Sequence, residues 1–307
     1  MYNTTRVSFT FNPSPFTLYP SPFSLTIQIT SASNQRIKDI AKLRQRSHRD
    51  EYGALLVEGY REIKRALDNG YKPREIVTCP ELFMGENENA LIARAVASGA
   101  THIVCSEPAF EKISARDRPD GLIVIGPQIH KTLADLRLPD NALLIVAEAI
   151  EKPGNLGTIL RSADSSGCAA VIVCDKCTDV QNPNVVRASI GTLFSLPVVE
   201  ATTAETIAFL RERGFLILAA TPHATRLYSD CDCTGNTAIV VGAEQYGLSG
   251  AWLSADSATQ CVTPVRIPML GQCDSLNVAS ATTILLYEAV RQRIAKNPAL
   301  VPKPHEH

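Results

Sequence analysis

The stretch "LLIVAEAIEKPGNLGTILRSADSSG", Leu143–Gly167, opens on the apolar run Leu143 to Ala147, passes a Pro-Gly loop, and continues at helical spacing from Leu156 to Ser166. A short unbroken apolar run feeding a helix is the repeating unit of a buried parallel sheet. The alternation continues downstream. Ala170 to Cys174 reads as the next strand, and Asn182-Pro183 opens a helix through Leu193. Val198 with Val199, Phe215 to Ala219, and Ala238 to Val241 supply further short strands, with a helix from Ala204 to Arg213 between the first two. Closing the series is "RIPMLGQCDSLNVASATTILLYEAV", Arg266–Val290, which runs from a strand-like segment through a glycine turn into a long helix. Residues Val278 to Thr283 of that helix are small or β-branched, a poor choice on propensity alone. The pattern predicts an α/β domain with a mostly parallel sheet and helices on both faces, spanning 142–295.

Upstream, residues 128–141, which follow Pro127 and contain Pro139, show little periodicity and read as a linker. Before it, 34–127 reads as a small α/β domain. It begins with "NQRIKDIAKLRQRSHRDEYG", in which Ile37, Ile40, Ala41 and Leu43 fall at helical spacing among Arg36, Lys38, Lys42, Arg44, Arg46 and Arg49. Only Asp39 offsets that charge within the apolar repeat, so this basic helix is the candidate surface for a polyanion. Residues 1–33 carry one Arg, no acid and repeated Ser, Thr, Phe and Pro, and are expected to be a disordered extension. A proline-rich tail, 296–307, is expected to be flexible.

Across 307 residues, 45% are hydrophobic and 20% charged, ordinary for a globular chain. Lys+Arg 30 against Asp+Glu 31 gives a net charge of -1, so a polyanionic partner must be met by a local patch. No apolar run approaches the roughly 20 residues of a membrane span, and no membrane partner is expected. Nine cysteines, an odd number that includes Cys79, Cys105, Cys168 and Cys261 in apolar segments, fit a reducing, cytoplasmic setting. Cys174 with Cys177 and Cys231 with Cys233 lack the usual zinc-knuckle context, so they read as free thiols and no metal is expected.

No G-x-G-x-x-G follows a strand, which excludes the common dinucleotide fingerprint. "GAEQYGLS", Gly242–Ser249, has P-loop glycine spacing, but Leu248 stands where the phosphate-binding lysine belongs and Glu244 would repel phosphate. A nucleophile elbow is also missing.

Four loops remain, one of them "ATPHA", Ala220–Ala224, and together they resemble the motif set of the SpoU/TrmH family of RNA 2′-O-ribose methyltransferases in the SPOUT superfamily. Asn155-Leu156-Gly157 with Arg161 is similar to the first motif; Gly242, Glu244, Gly247 and Leu248 to the second; Ile267-Pro268-Met269 with Ser275-Leu276-Asn277-Val278 to the third. The likeness covers about Leu143 to Arg293, and Gln245 departs from the glycine common after the acid. "LLVEGYREIKRAL" is similar to the small RNA-substrate-binding domain that precedes the catalytic domain in many members.

This resemblance implies a trefoil knot, S-adenosylmethionine as cofactor, a homodimer through the C-terminal domain, and 2′-O-methylation of structured RNA, ribosomal before transfer RNA. A non-catalytic RNA-binding member is the other reading. The resemblance implies catalytic roles for Arg161, Asn155, Glu244, Ser275 and Asn277, cofactor contacts at Thr221, Gly242, Ile267, Leu276 and Asn277, and an RNA face that includes Arg36, Lys38, Lys42, Arg44, Arg46 and Arg187. Ser189, beside Arg187, matches a family segment near the substrate. Taken singly, Asn155 and Ser275 also read as caps of the helices that follow them, and Arg161 as a surface residue in a helix that carries Asp164.

Overall fold

A computed structural model describes residues 26–253 and 262–301. The chain divides into two units, Met1–Leu56 with Lys72–Gln128, and Val57–Tyr71 with Ile129–His307. The first contains β1 (Ile27–Ile29), α1 (Gln35–Lys42), α2 (Arg46–Tyr52) and most of β2 (Ala54–Glu58). After α3 (Tyr60–Asp68), which clusters with the second unit, come β3 (Glu75–Thr78), α4 (Glu88–Ala97), β4 (Thr101–Cys105), α5 (Glu107–Ile113) and β5 (Leu122–Pro127). Its sheet runs β1-β4-β3-β5-β2, parallel at β1/β4 and β3/β4 and antiparallel at β3/β5.

Two expectations fail here. The expected disordered extension gives way by Ile27, because β1 completes the sheet edge and its Ile29 is buried; residues 1–25 of that extension lie outside the described residues. The single basic helix is two helices. Asn34 caps the first by accepting from Arg36 N at 2.8 Å, and Gly53, at φ 53°, ends the second. Arg49 is buried between them and donates to the carbonyls of Leu43 and Arg44 at 2.8 and 2.9 Å, satisfying the open end of α1.

The second unit contains β6 (Leu143–Glu148), α6 (Pro153–Ser165), β7 (Ala170–Cys174), α7 (Pro183–Ala188), β8 (Val198–Ala201), α8 (Thr203–Glu212), β9 (Leu216–Ala220), β10 (Thr237–Val241), α9 (Gly250–Leu253), β11 (Val262–Val265) and α10 (Val278–Lys296). The sheet order is β11-β9-β10-β6-β7-β8, every pair parallel. β6, β7 and β10 are buried along their whole length, as expected where helices cover both faces. The linker is less idle than its composition suggests. Its Leu136 is buried in this unit's core, and Thr132 with Asp135 forms a capping box at a short 3-10 turn.

Helix α7 stops at Ala188, short of the expected Leu193, because Ile190 and Gly191 take positive φ of 54° and 71°. Cys231 and Cys233 are buried, and their carbonyls accept from Gln292 and Arg293 on α10 at 3.0 and 2.9 Å. Burial pushes the Cys174 thiol up to about 12, keeping it from being a thiolate at neutral pH. Cys261 and residues 302–307 of the tail lie outside the described residues, while Pro298–Leu300 forms a 3-10 turn.

At Gly157 helix α6 meets α7 with no room for a methyl group: an added Cβ would strike Ala188 Cβ and stand 3.0 Å from both Ser189 N and Val185 O. Gly157→Ala should therefore lower stability by about 1–3 kcal/mol, although alanine is the better helix former by about 1 kcal/mol. Urea unfolding measures this, and an unchanged or raised midpoint would show that α7 can retreat freely.

Candidate active site

The site is built on the carboxyl edge of the second sheet. Parallel register sets the ends of four strands side by side, Ala220 against Val265, Ala219 against Val240, and Val241 against Ala147. The segments leaving that edge carry Ile267, Thr221, Gly242 with Glu244, and Lys152 with Asn155. In open α/β sheets this edge is where ligands bind. Thr221 N donates to Val265 O at 2.9 Å, and Leu227 bridges Arg266, tying the segments after β9 and β11 together. Gly242 is required for the turn of its loop, since a Cβ there would overlap the Gly247 carbonyl and Leu248 N.

Glu244 is the junction. Its Oε1 accepts from Asn155 Nδ2 at 2.8 Å and from Asn277 Nδ2 at 2.7 Å, while Oε2 takes Lys152 Nζ. Asn277 Nδ2 also reaches Asn155 Oδ1 at 3.1 Å. Donation from Lys152 first, then from Asn155, holds the Glu244 carboxyl below the ordinary carboxylate range. Asn277 serves two structures with one amide: its Oδ1 accepts from Ala279 N and Ser280 N at 3.0 and 3.4 Å, capping α10, while its Nδ2 faces the site.

The structure corrects both capping readings. Helix α6 begins at Pro153, so Asn155 lies inside its first turn and its side chain is spent on Glu244. The α10 cap is Asn277, leaving Ser275 two residues outside, where among the described residues its Oγ reaches only Asp274 Oδ1 at 3.4 Å. Ser275 therefore does not join the cluster. Arg161 is exposed further along α6, about 9 Å up the axis from Asn155 at 1.5 Å per residue. Its guanidinium carries no hydrogen bond or ion pair among the described residues. Ser189 is buried and donates to Val186 O at 3.0 Å, so it faces the core; Arg187, two residues earlier, is exposed.

Lys152 and Glu148 escaped the sequence reading. Lys152 pairs with an acid 92 residues away, which no local pattern reveals. Glu148 did leave a signal, an acid ending a buried strand. Its Oε1 accepts from Thr203 Oγ1, Ser249 Oγ and Trp252 Nε1 at 2.9, 2.7 and 2.9 Å, and its Oε2 from Ser249 N at 2.7 Å. This buried carboxylate anchors the chain just beyond the Gly242 loop.

Of the proposed polyanion face in the first unit, Arg36 is half-buried and paired with Glu75. Arg44 donates to the carbonyls of Lys112 and Ile113, Lys42 pairs with Asp39, and Arg46 pairs with Asp50 on the surface. Lys38 is exposed and has no ion pair among the described residues. Arg36 is thus a structural cation, and the face is narrower than the sequence suggested.

Residues 142–287 match the model of the SpoU rRNA Methylase family, and residues 34–124 that of an MRM3-like substrate binding domain. A 23S rRNA (uridine(2479)-2'-O)-methyltransferase of Streptomyces viridochromogenes is 32% identical over 284 residues, covering 90% of this chain and 96% of its own. The chain belongs to the SpoU rRNA methylase family. An AdoMet-bound rRNA methyltransferase from Sinorhizobium meliloti superposes with a TM-score of 0.77 at 30% identity, over 90% of this chain and 99% of that one. An RNA 2'-O ribose methyltransferase structure gives a TM-score of 0.76 at 40% identity, over 87% of this chain and 100% of that one.

Lys152 is the largest of the causes that hold the Glu244 carboxyl below its ordinary range. A depressed carboxyl stabilises the cluster above its unfolded value, and that contribution disappears as pH falls through the folded value. In Lys152→Met the Glu244 pKa should rise toward the ordinary range, so the cluster fails at a higher pH. Carboxyl-carbon NMR titration reads this directly; an unmoved Glu244 titration would remove Lys152 from the site.

Proposed function

We propose that this chain is an S-adenosylmethionine-dependent 2′-O-methyltransferase of structured ribosomal RNA. The observation that carries the reading is the meeting of three chain segments on one carboxylate, at Asn155, Glu244 and Asn277, with Arg161 on the same helix as Asn155 and unpaired among the described residues. Family membership supplies the chemistry; the relative from Streptomyces viridochromogenes is named for uridine 2'-O-methylation of 23S rRNA.

The segment from β11 to α10 leaves Leu270 and Leu276 97% and 39% exposed, apolar surface that an adenosine would cover. Thr221, Gly242, Ile267, Leu276 and Asn277 would hold the cofactor, largely by backbone groups. When bound, it supplies an electrophilic methyl group on a sulfonium. Methyl transfer to a ribose hydroxyl is an in-line displacement, so alignment is the main catalytic task. Arg161 has donors and no acceptor, and so cannot take the hydroxyl proton. It grips the neighbouring phosphate and stabilises the ribose oxygen as negative charge builds there. Glu244, engaged by three donors and held ionised, is a weak base; it positions Asn155 and Asn277. The proton leaves to solvent at this exposed edge.

The trefoil knot and the homodimer belong to the same reading. In support of the knot, the chain leaving β11 passes the loop after β9 at Leu227, meets the loops after β10 and β6 at Asn277, and then packs α10 on α6. In support of the dimer, Ile284 and Tyr287 lie three residues apart on α10 and are 37% and 47% exposed. Lys38, Arg46 and Arg187 are the remaining candidates for backbone phosphates. A cytoplasmic setting is part of the same proposal, and a ribosomal RNA substrate supports it; among the described residues no helix is long and apolar enough to cross a membrane.

Incubation with labelled S-adenosylmethionine and ribosomal RNA should yield alkali-resistant dinucleotides, and Arg161→Ala should reduce transfer at least 100-fold, about 3 kcal/mol of barrier, with cofactor affinity retained by calorimetry. No label in any ribosomal RNA, or an Arg161→Ala enzyme near the original rate, contradicts the assignment.

A further inference from the structure

Arg161 has one acid within helical reach, Asp164 at i+3 on α6. Residues three apart on a helix surface are neighbours, and a guanidinium held by such an acid would be turned away from a substrate. In this fold Asp164 is already engaged. Its Oδ2 takes Arg65 Nη1 at 3.4 Å and its Oδ1 takes Ser195 Oγ at 2.8 Å. Both partners are themselves placed. Arg65 lies on α3, the helix of the N-terminal stretch that clusters with the second unit. Gly191, in the left-handed conformation, lets the next turn lie against α3: a Cβ at Gly191 would stand 3.1 Å from Glu62 Cα and 3.2 Å from Glu62 O. The Tyr71 and Phe194 rings meet at 4.9 Å between centroids, fixing the far end of α3 on the same turn that presents Ser195.

We infer that Arg65 is a positioning residue for methyl transfer: together with Ser195 it holds Asp164 away from Arg161 and so leaves the Arg161 guanidinium available to RNA. The inference rests on the role proposed above for Arg161. At 33% and 31% side-chain exposure, the Arg65–Asp164 pair adds little to stability, which separates its orienting effect from a folding role. It also explains why a surface arginine three residues from an acid on one helix carries no ion pair among the described residues.

The test compares wild type, Arg65→Gln, Asp164→Asn, the double variant and Arg161→Ala in single-turnover transfer to ribosomal RNA, with cofactor affinity measured alongside. Arg65→Gln should lower the rate constant 5- to 20-fold with cofactor affinity unchanged. Asp164→Asn alone should keep the wild-type rate within about twofold, and the double variant should return to it. Rescue by Asp164→Asn separates capture of Arg161 from general damage, because that substitution cannot restore the lost pair. Arg65→Gln at full rate, or a double variant as slow as the single one, overturns the positioning role while an inactive Arg161→Ala leaves the proposed function standing. An active Arg161→Ala overturns both.

Discussion

One carboxylate joins segments that the sequence keeps far apart. Glu244 receives Asn155 and Lys152 from the start of α6 and Asn277 from the cap of α10, so the loops after β6 and β10 and the approach to the final helix share one hydrogen-bonded centre. A carboxylate suits this task because it is acceptor-only, with room for several donors. Two amides alone could satisfy each other in several arrangements; an ionised acceptor selects the one in which both turn their N–H groups inward. The lysine completes the centre by stabilising the charge that keeps Glu244 acceptor-only.

The rest of the second unit brings those donors to one place. Parallel strands put their carboxyl ends on one edge, and Pro153 begins α6 early enough for Asn155 to project from its first turn. The run of small and β-branched residues at the start of α10 then has a reason. Ser162 Oγ meets Thr283 Oγ1 at 2.7 Å, and Thr282 and Thr283 return their hydroxyls to the helix carbonyls of Val278 and Ala279, so α6 and α10 approach closely without an orphaned polar group. Helix propensity is surrendered there for packing that fixes Asn155 and Asn277 relative to one another.

Much of this was legible in the sequence. Unbroken apolar runs marked β6, β7 and β10, and Asn182-Pro183 marked the start of α7. Three loop motifs in order named the edge where the site forms. What was not legible depended on partners distant in the chain: Lys152 with Glu244, Arg36 with Glu75, and Arg65 with Asp164 are separated by 92, 39 and 99 residues. Local pattern also misassigned charge. Arg36 and Arg49 look like part of a solvated basic face, yet one closes a tertiary ion pair and the other is buried at a helix end. Ile27–Ile29 was hidden by a Ser/Thr-rich neighbourhood, since an edge strand of three residues has too short a pattern to stand out.

A double-mutant cycle on Asn155 and Asn277 tests the shared centre most directly, with S-adenosylmethionine affinity by titration calorimetry as the readout. If both amides act through Glu244, Asn155→Ala and Asn277→Ala are coupled by about 0.5–3 kcal/mol, and the second substitution adds little once the first has been made. Losses that add to within about 0.5 kcal/mol would mean that the two side chains act independently and that Glu244 is no centre.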